Sequence, residues 1–380
     1  MDRVWAEDRL SLIDKKLRTV IERNKGAIPA IAINGHYDNR ADMTRTWNAD
    51  DGLCWWTNGF WGGIMNQMYA FSGFDGYLEE EKTSEELLDG CLPSLFKGLH
   101  HDTGFMWLPL SVARYMIDGN EESKDRGLLA ATLLMGRYNP NGYLRAWNDN
   151  PETGVNTRGW SIIDSMMNIS ILYWASTELD DPRFAMVAEK HADTTMRNAV
   201  REDGSVRHIT EYDAETGKYL REYGGQGYAE GSAWTRGQAW GIYGFANSFC
   251  HTGREDFLAT SEKIASFFMN HMKEDGHIPV DFLQPEEPHI EDSTAAAIAS
   301  CGFIELYKHT NKEEYLETAM KMLKALDKDR SDYSPDTDNI LQKCTGSYHG
   351  TKDREIGFVY ADYYYIEALL KIAGKAIEIW

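Results

Sequence analysis

Two carboxylates stand out as residues able to carry proton chemistry. Asp164 interrupts the run Gly159-Trp160-Ser161-Ile162-Ile163-Asp164-Ser165-Met166-Met167-Asn168, which continues through Ile169, Ile171, Leu172, Tyr173 and Trp174. A helix drawn through that run is apolar on nearly every side, so it belongs in a core. Asn168 falls one turn after Asp164 on the same face. A buried carboxylate is costly unless it is partnered or protonated. Asp164 therefore has two readings: the N-cap of a helix starting at Ser165, or a carboxyl kept for proton transfer. Asp102 stands in His100-His101-Asp102-Thr103-Gly104, read either as an ordinary Asp-Thr-Gly turn or as a second carboxylate held ionised beside a histidine.

Around them lie four polar, aromatic stretches: Trp55–Gly63, His100–Trp107, Leu144–Asn150 and Gly231–Gly241. Two carboxyls in a pocket walled by tryptophan make a glycosidase-like set, with one acid protonated at neutral pH and the other ionised. Trp56, Trp147, Trp234 and Trp240 offer flat faces for sugar rings, although a single tryptophan is more often core. Arg236 offers a planar fork for a carboxylate, or an ordinary ion pair. His100 and His101 are possible metal ligands, but no HExxH or second tight cluster supports a metal. There is no P-loop and no strand-bound GxGxxG.

These residues need elements to position them. Residues 3–24 read as an amphipathic helix, with Val4, Trp5, Leu10, Ile13, Leu17, Val20 and Ile21 on one broad face. Residues 26–58 read as irregular. A loose helix–turn–helix unit then recurs: MNQMYAFSGFDGYLEE, a fainter LSVARYMIDGNEESKDRGLLAATLL, ILYWASTELDDPRFAMVAEKHAD, YGFANSFCHTGREDFLATSEKIASFF and CGFIELYKHTNKEEYLETAMKMLKAL. YYYIEALLKIAG reads as half of a sixth. Residues 204–209 and 276–282 carry short strand signals. No Pro- or Ser-rich linker divides the chain, so residues 1–380 are expected to form one all-α domain: a closed toroid of helical hairpins or an open solenoid, with long loops carrying the function.

Composition narrows the classes. A net charge of −21 over 380 residues argues against nucleic acid and anionic membrane surfaces. The 12 Trp, 20 Tyr and 14 Phe exceed what a core alone suggests. Five scattered Cys without a CxxC read as reduced thiols of a cytosolic protein. No signal peptide and no run of 18 apolar residues is seen.

At these residues the chain resembles glycoside hydrolase family 88, the unsaturated glucuronyl hydrolases, over almost its whole length. The segments are Trp56-Thr57-Asn58-Gly59-Phe60-Trp61, His101-Asp102-Thr103-Gly104-Phe105, Ile162 through Asn168, Trp234 through Trp240, Asp292 through Ala297 and Gly346-Ser347-Tyr348-His349. The resemblance implies an (α/α)6 barrel, no cofactor, and a bacterial, cytoplasmic monomer or homodimer. It implies substrates carrying a 4,5-unsaturated uronic acid at the non-reducing end, left by polysaccharide lyases. The enzyme protonates C4 of the vinyl ether, water adds at C5, and the resulting hemiketal expels the neighbouring sugar.

Asp164 matches the general acid/base and Asp102 the second essential carboxylate. His101, Trp56, Trp147, His208, Gln226, Trp234, Arg236, Trp240 and Tyr348 match pocket positions, and Asn168 joins them. Members favouring sulfated units carry Ser-x-x-Ser-x-Lys near the C-terminus. This chain has Ser347-Tyr348-His349-Gly350-Thr351-Lys352. Ser347 and Lys352 remain substrate-binding candidates, but Gly350 removes one hydroxyl, which leaves a preference for sulfated chondroitin-type units unsupported. Three other readings are a family 105 unsaturated rhamnogalacturonyl hydrolase, a sugar 2-epimerase on the same toroid, and a non-catalytic helical scaffold.

Overall fold

The computed structural model describes residues 2–42, 52–149 and 154–380. Asn150, at the end of the third loop stretch, and residues 43–51 of the irregular segment lie outside them.

Each hairpin is set by local chemistry at its turn. The first helix of each pair ends at a residue in the left-handed conformation: Gly73, Gly119, Asp180, Gly253, Asn311 and Gly374. At each one a cap backbone N–H closes onto the preceding turn, the usual way of satisfying the last carbonyls. Helix starts are fixed as well. Asn120 accepts from Ser123 N at 2.9 Å, and Asp181, followed by Pro182, accepts from Arg183 N at 3.0 Å.

The helices are α1 (Asp2–Asn24), α2 (Phe60–Ser72), α3 (Asp75–Leu88), α4 (Thr103–Trp107), α5 (Ala113–Asp118), α6 (Glu121–Met135), α7 (Ser165–Asn168), α8 (Ser170–Leu179), α9 (Pro182–Asn198), α10 (Thr235–Thr252), α11 (Glu255–His271), α12 (Ser293–Thr310), α13 (Glu313–Asp329) and α14 (Val359–Ala373). A wide π-turn, Leu108–Val112, joins α4 to α5 around Pro109. The pairs α2/α3, α5/α6, α8/α9, α10/α11 and α12/α13 are the five repeats of the sequence.

The sixth pair closes the ring. The half-repeat α14 packs against α1 and also against α2 and α12. On the outer ring α1 is held from both sides: Trp5 Nε1 donates to Asp327 of α13 at 3.0 Å, and Tyr77 of α3 donates to Asp14 at 2.9 Å. A closed toroid, an (α/α)6 barrel, is thus the outcome rather than an open solenoid. Its axis is filled by aromatic rings, among them Phe60, Phe105, Trp240, Tyr363, Tyr364 and Trp380.

Among the described residues eight short strands decorate the loops: β1 (Ile31–Ile33), β2 (His36–Tyr37), β3 (Tyr138–Asn139), β4 (Tyr143–Leu144), β5 (Trp160–Ile162), β6 (Ile209–Tyr212), β7 (Tyr219–Tyr223) and β8 (Gly357–Phe358). They form antiparallel sheets ordered β2-β1-β8, β3-β4 and β5-β6-β7. Two expectations are corrected here. Residues 160–162 are a strand, not the start of a buried helix; an apolar run bounded by glycine fits both, and pairing with β6 decides. Strand β6 begins at Ile209, where the 204–209 signal ends, while residues 276–282 contribute only isolated bridges.

Candidate active site

The inner ring is formed by α2, α4 with α5, α7 with α8, α10, α12 and α14. The residues just before their first turns gather on one rim. Trp56 precedes α2, Asp102 precedes α4, Asp164 precedes α7, Trp234 precedes α10, Asp292 precedes α12, and Tyr348 lies in the loop before α14. Helix N-termini carry partial positive charge. This rim is therefore locally suited to an anion despite the acidic composition.

Asp164 occupies the N-cap position of α7, so the helix does start at Ser165. The side chain makes no capping bond, and the capping reading fails on that point. The residue is partly exposed, but its Oδ1 is buried and has no hydrogen-bond partner. Burial, reinforced by the charge of Asp102 and opposed by Arg236, pushes the carboxyl up to about 8.

Asp102 is treated oppositely. Its Oδ1 accepts from Asn168 Nδ2 at 3.0 Å and lies 3.2 Å from His101 Nε2, while His100 Nδ1 lies 3.1 Å from Oδ2. Burial alone would raise this carboxyl. His101, His100 and Asn168 together outweigh it and hold Asp102 below the usual carboxylate range. Burial drives His101 down to about 4, so its ring is neutral near physiological pH. The set His100, His101 and Asp102 brings three potential ligand atoms within 4.8 Å, a juxtaposition that sequence spacing alone did not resolve. Within it the Asp102 backbone N–H donates to His100 Nδ1 at 3.5 Å.

Asn168 ties the two carboxylate segments together. Its Oδ1 accepts from Phe105 N at 2.7 Å, and its Nδ2 reaches both Asp102 Oδ1 and, at 3.2 Å, the backbone oxygen of Asp164. The contact is possible because residue 104 is glycine. A Cβ there would sit 2.5 Å from Asn168 O and 2.6 Å from its Cα. These are backbone atoms and cannot rotate away. Gly104→Ala is expected to separate α4 from α7 and to lower turnover by about 10²-fold, the usual cost of a 1 Å misplacement. Steady-state kinetics on the folded variant checks this; unchanged kcat would show that the Asp102–Asp164 relation tolerates movement.

The remaining candidates fall into two groups. Some face the carboxylates. Trp147 is half-buried, its ring 6.4 Å from His101 and 6.1 Å from Trp160. Trp56 packs on Phe105 and Tyr360 at 5.3 and 4.6 Å. His208 lies on Trp234 at 4.2 Å; its Nδ1 accepts from Gln226 N at 3.0 Å, which leaves the proton on a buried, unpartnered Nε2. Burial and Arg236 push this ring down to about 3. Trp234 Nε1 and His101 Nδ1 are likewise buried without partners. Such orphaned groups clustered around one acid are what a polyhydroxylated ligand satisfies.

Others serve as scaffold. Arg236 was expected to offer its fork to a ligand. Its NH1 instead donates to Asp292 Oδ2 at 2.5 Å and to Thr345 O at 2.7 Å, and its NH2 to Gly346 O at 2.6 Å. It fastens α10 to α12 and to the 345–353 loop. Gln226 Nε2 donates to Gly346 O at 2.9 Å and Tyr348 N to Gln226 O at 2.9 Å, fixing the same loop. Trp240 was expected to be a sugar-stacking face. It is fully buried behind Phe105 and Tyr364, so its indole supports the floor. Ser347 Oγ accepts from Gly350 N at 3.1 Å, and Lys352 is exposed. Tyr360, wedged between Trp56 and Arg236, was missed; it lies in an aromatic helical run with no polar break to mark it.

The profile of Glycosyl Hydrolase Family 88 matches residues 21–377. The chain belongs to that family and is a glycoside hydrolase. It is 35% identical over 338 residues to the unsaturated glucuronyl hydrolase of Bacillus sp. (strain GL1), covering 86% of this chain and 88% of that one. It is 32% identical over 326 residues to the unsaturated chondroitin disaccharide hydrolase of Streptococcus pneumoniae, covering 83% and 81%. Among solved structures, the Bacillus sp. GL1 enzyme superposes with a TM-score of 0.86 at 30% identity, over 94% of this chain and 95% of that one. A mutant of the Streptococcus agalactiae unsaturated glucuronyl hydrolase complexed with dGlcA-GalNAc6S gives 0.84 at 26% identity, over 100% and 94%. No helix among the described residues is long and apolar enough to cross a membrane.

Proposed function

We propose that this glycoside hydrolase removes the 4,5-unsaturated glucuronyl residue from the non-reducing end of lyase-generated glycosaminoglycan oligosaccharides, acting in the cytoplasm as one catalytic domain of residues 1–380. The observation that carries the mechanism is the opposite treatment of two neighbouring carboxyls: Asp164 protonated near neutrality and Asp102 ionised. Asp164 gives its proton to C4 of the vinyl ether. The oxocarbenium-like cation that forms is stabilised by the nearby carboxylates. Water adds at C5, giving its proton to the newly ionised Asp164. The hemiketal opens and the neighbouring sugar leaves. Asp102 is positioned to accept hydrogen bonds from ring hydroxyls. The helix N-termini suit the uronate carboxylate, and Trp147 supplies an apolar face. The names of the relatives support this substrate class.

The direct test is loss of the conjugated chromophore when unsaturated glucuronyl-hexosamine disaccharides are incubated with the protein. Activity on galacturonyl-rhamnose alone would replace this reading with the family 105 chemistry. Unsulfated units are the proposed preference, since Gly350 brings no hydroxyl to the loop. Faster turnover of sulfated than of unsulfated disaccharides would reverse it.

The pKa directions fix the shape of the pH profile. The reactive form has Asp164 protonated, so kcat/KM falls as pH rises through about 8. The acid limb belongs to Asp102 and lies below the ordinary carboxylate range. Between them a plateau is expected. A rate that climbs through pH 8 would be incompatible with Asp164 as the acid.

A further inference from the structure

The rim opposite the candidate active site holds a second group of chemically capable side chains. Cys250 lies near the C-terminal end of α10, and Glu305 and His309 occupy the last turns of α12. Cys250 Sγ is 2.9 Å from His309 Nε2, and that nitrogen is 3.8 Å from Glu305 Oε2. All three donor atoms lie within 4.8 Å of one another.

We propose that Cys250, Glu305 and His309 form a zinc-type transition-metal site, with three protein ligands and a fourth position left to water. Zinc bonds of the usual lengths put tetrahedral S, N and O donors about 3.4–3.6 Å apart, so small side-chain adjustments bring these three into place. Thiolate, imidazole and carboxylate together favour zinc over magnesium or calcium. On binding, the Sγ–H bond is exchanged for an Sγ–metal bond and the proton passes to solvent.

The surroundings are arranged for this. Both lysines beside Glu305 donate to its Oε1, Lys308 at 3.1 Å and Lys371 more closely. The carboxylate is thereby oriented with Oε2 toward His309, as outer-shell partners orient metal ligands. Glu367 and Glu378 also lie on Lys371, which leaves Glu305 Oε2 free of the ammonium groups. Phe249 meets the His309 ring edge-on at 5.1 Å. The two helices are fixed relative to each other: a Cβ on Gly302 of α12 would come 3.0 Å from Tyr243 N of α10. Cys250 is exposed, which gives the ion a way in. The helix C-termini add favourable negative potential. The site lies fourteen residues along α10 from Arg236, about 21 Å, so it staples the α10/α12 pair rather than joining the chemistry.

The test is a titration of the metal-free protein with Zn²⁺ against a competing chromophoric indicator, with Co²⁺ spectra and thermal melts alongside. The expected result is one tight equivalent, a thiolate-to-cobalt charge-transfer band and a metal-dependent rise in Tm. Cys250→Ser and His309→Ala should each weaken binding by at least about tenfold and abolish the band, while glycosidase turnover of the metal-free variants stays at the wild-type level. The proposal is overturned if the wild type binds no metal, or if binding is unchanged in the Cys250→Ser/His309→Ala double variant. It is equally overturned if binding is lost only in His100→Ala, which would assign the ion to the other histidine cluster. The binding, spectral and melting readouts do not depend on the carbohydrate substrate.

Discussion

Asp164→Asn is expected to stop turnover while leaving the barrel intact. The carboxamide has the shape of the acid but no proton to give to an alkene carbon, and it cannot take one back from water. General acid/base assistance contributes about 10²–10⁴-fold, so the rate of chromophore loss should fall at least that far. Folding should survive because the native side chain holds nothing together. It makes no cap bond, and its buried Oδ1 has no partner. The bond from Asn168 goes to the Asp164 backbone oxygen, which the substitution keeps. Circular dichroism and a denaturation midpoint equal to or above that of the wild type should accompany the lost activity. A folded Asp164→Asn protein working within about tenfold of the wild type would remove Asp164 from the mechanism.

The second large effect is on stability. Asp292→Ala leaves the Arg236 guanidinium fully buried without its carboxylate. Removing one partner of a buried pair costs about 3–5 kcal/mol, a large part of the 5–15 kcal/mol that holds a typical domain together. Asp292 is also the N-cap of α12 and accepts from Thr294 N at 3.1 Å and Thr345 N at 3.2 Å. Asp292→Asn retains a capping oxygen but loses the charge and the acceptor facing Arg236, so it should lie between wild type and Asp292→Ala. Replacing both partners, as in Arg236→Met with Asp292→Leu, should destabilise by less than the sum of the single changes. Urea midpoints with unchanged slopes read these differences. A loss under about 1 kcal/mol in Asp292→Ala would mean that Thr345 O and Gly346 O alone satisfy Arg236.

These two residues also show what was legible beforehand. Asp164 was conspicuous because a charge in an apolar run is costly, and that cost is visible in the sequence. The partner of Arg236 was not, because Asp292 lies 56 positions away and nothing local couples them. The hairpins could be read because their turns need left-handed residues and their helices keep a 3.6-residue period. The closure of the ring could not, since the period of α1 says which face is apolar but not what covers it. Trp147 and Trp240 are the same residue type, each following an alanine in a polar stretch. One lies half-open beside His101 and the other is wholly enclosed by Phe105 and Tyr364. Only the direction in which each helix or loop presents its indole separates them, and composition carries no such direction.

The pairing of α1 with α14 bears on how the molecule comes into being on the ribosome. The other five hairpins join neighbours in the chain, so each can form soon after it emerges. The first helix has to wait for the last. At about 5–20 residues per second, roughly 20–70 s separate the appearance of α1 from that of α14. Throughout that interval the apolar stripe of Leu10, Ile13, Leu17 and Val20, fully covered in the finished barrel, has no permanent partner. Nascent chains should therefore engage chaperones through α1 before any other helix, and release should coincide with synthesis of α14.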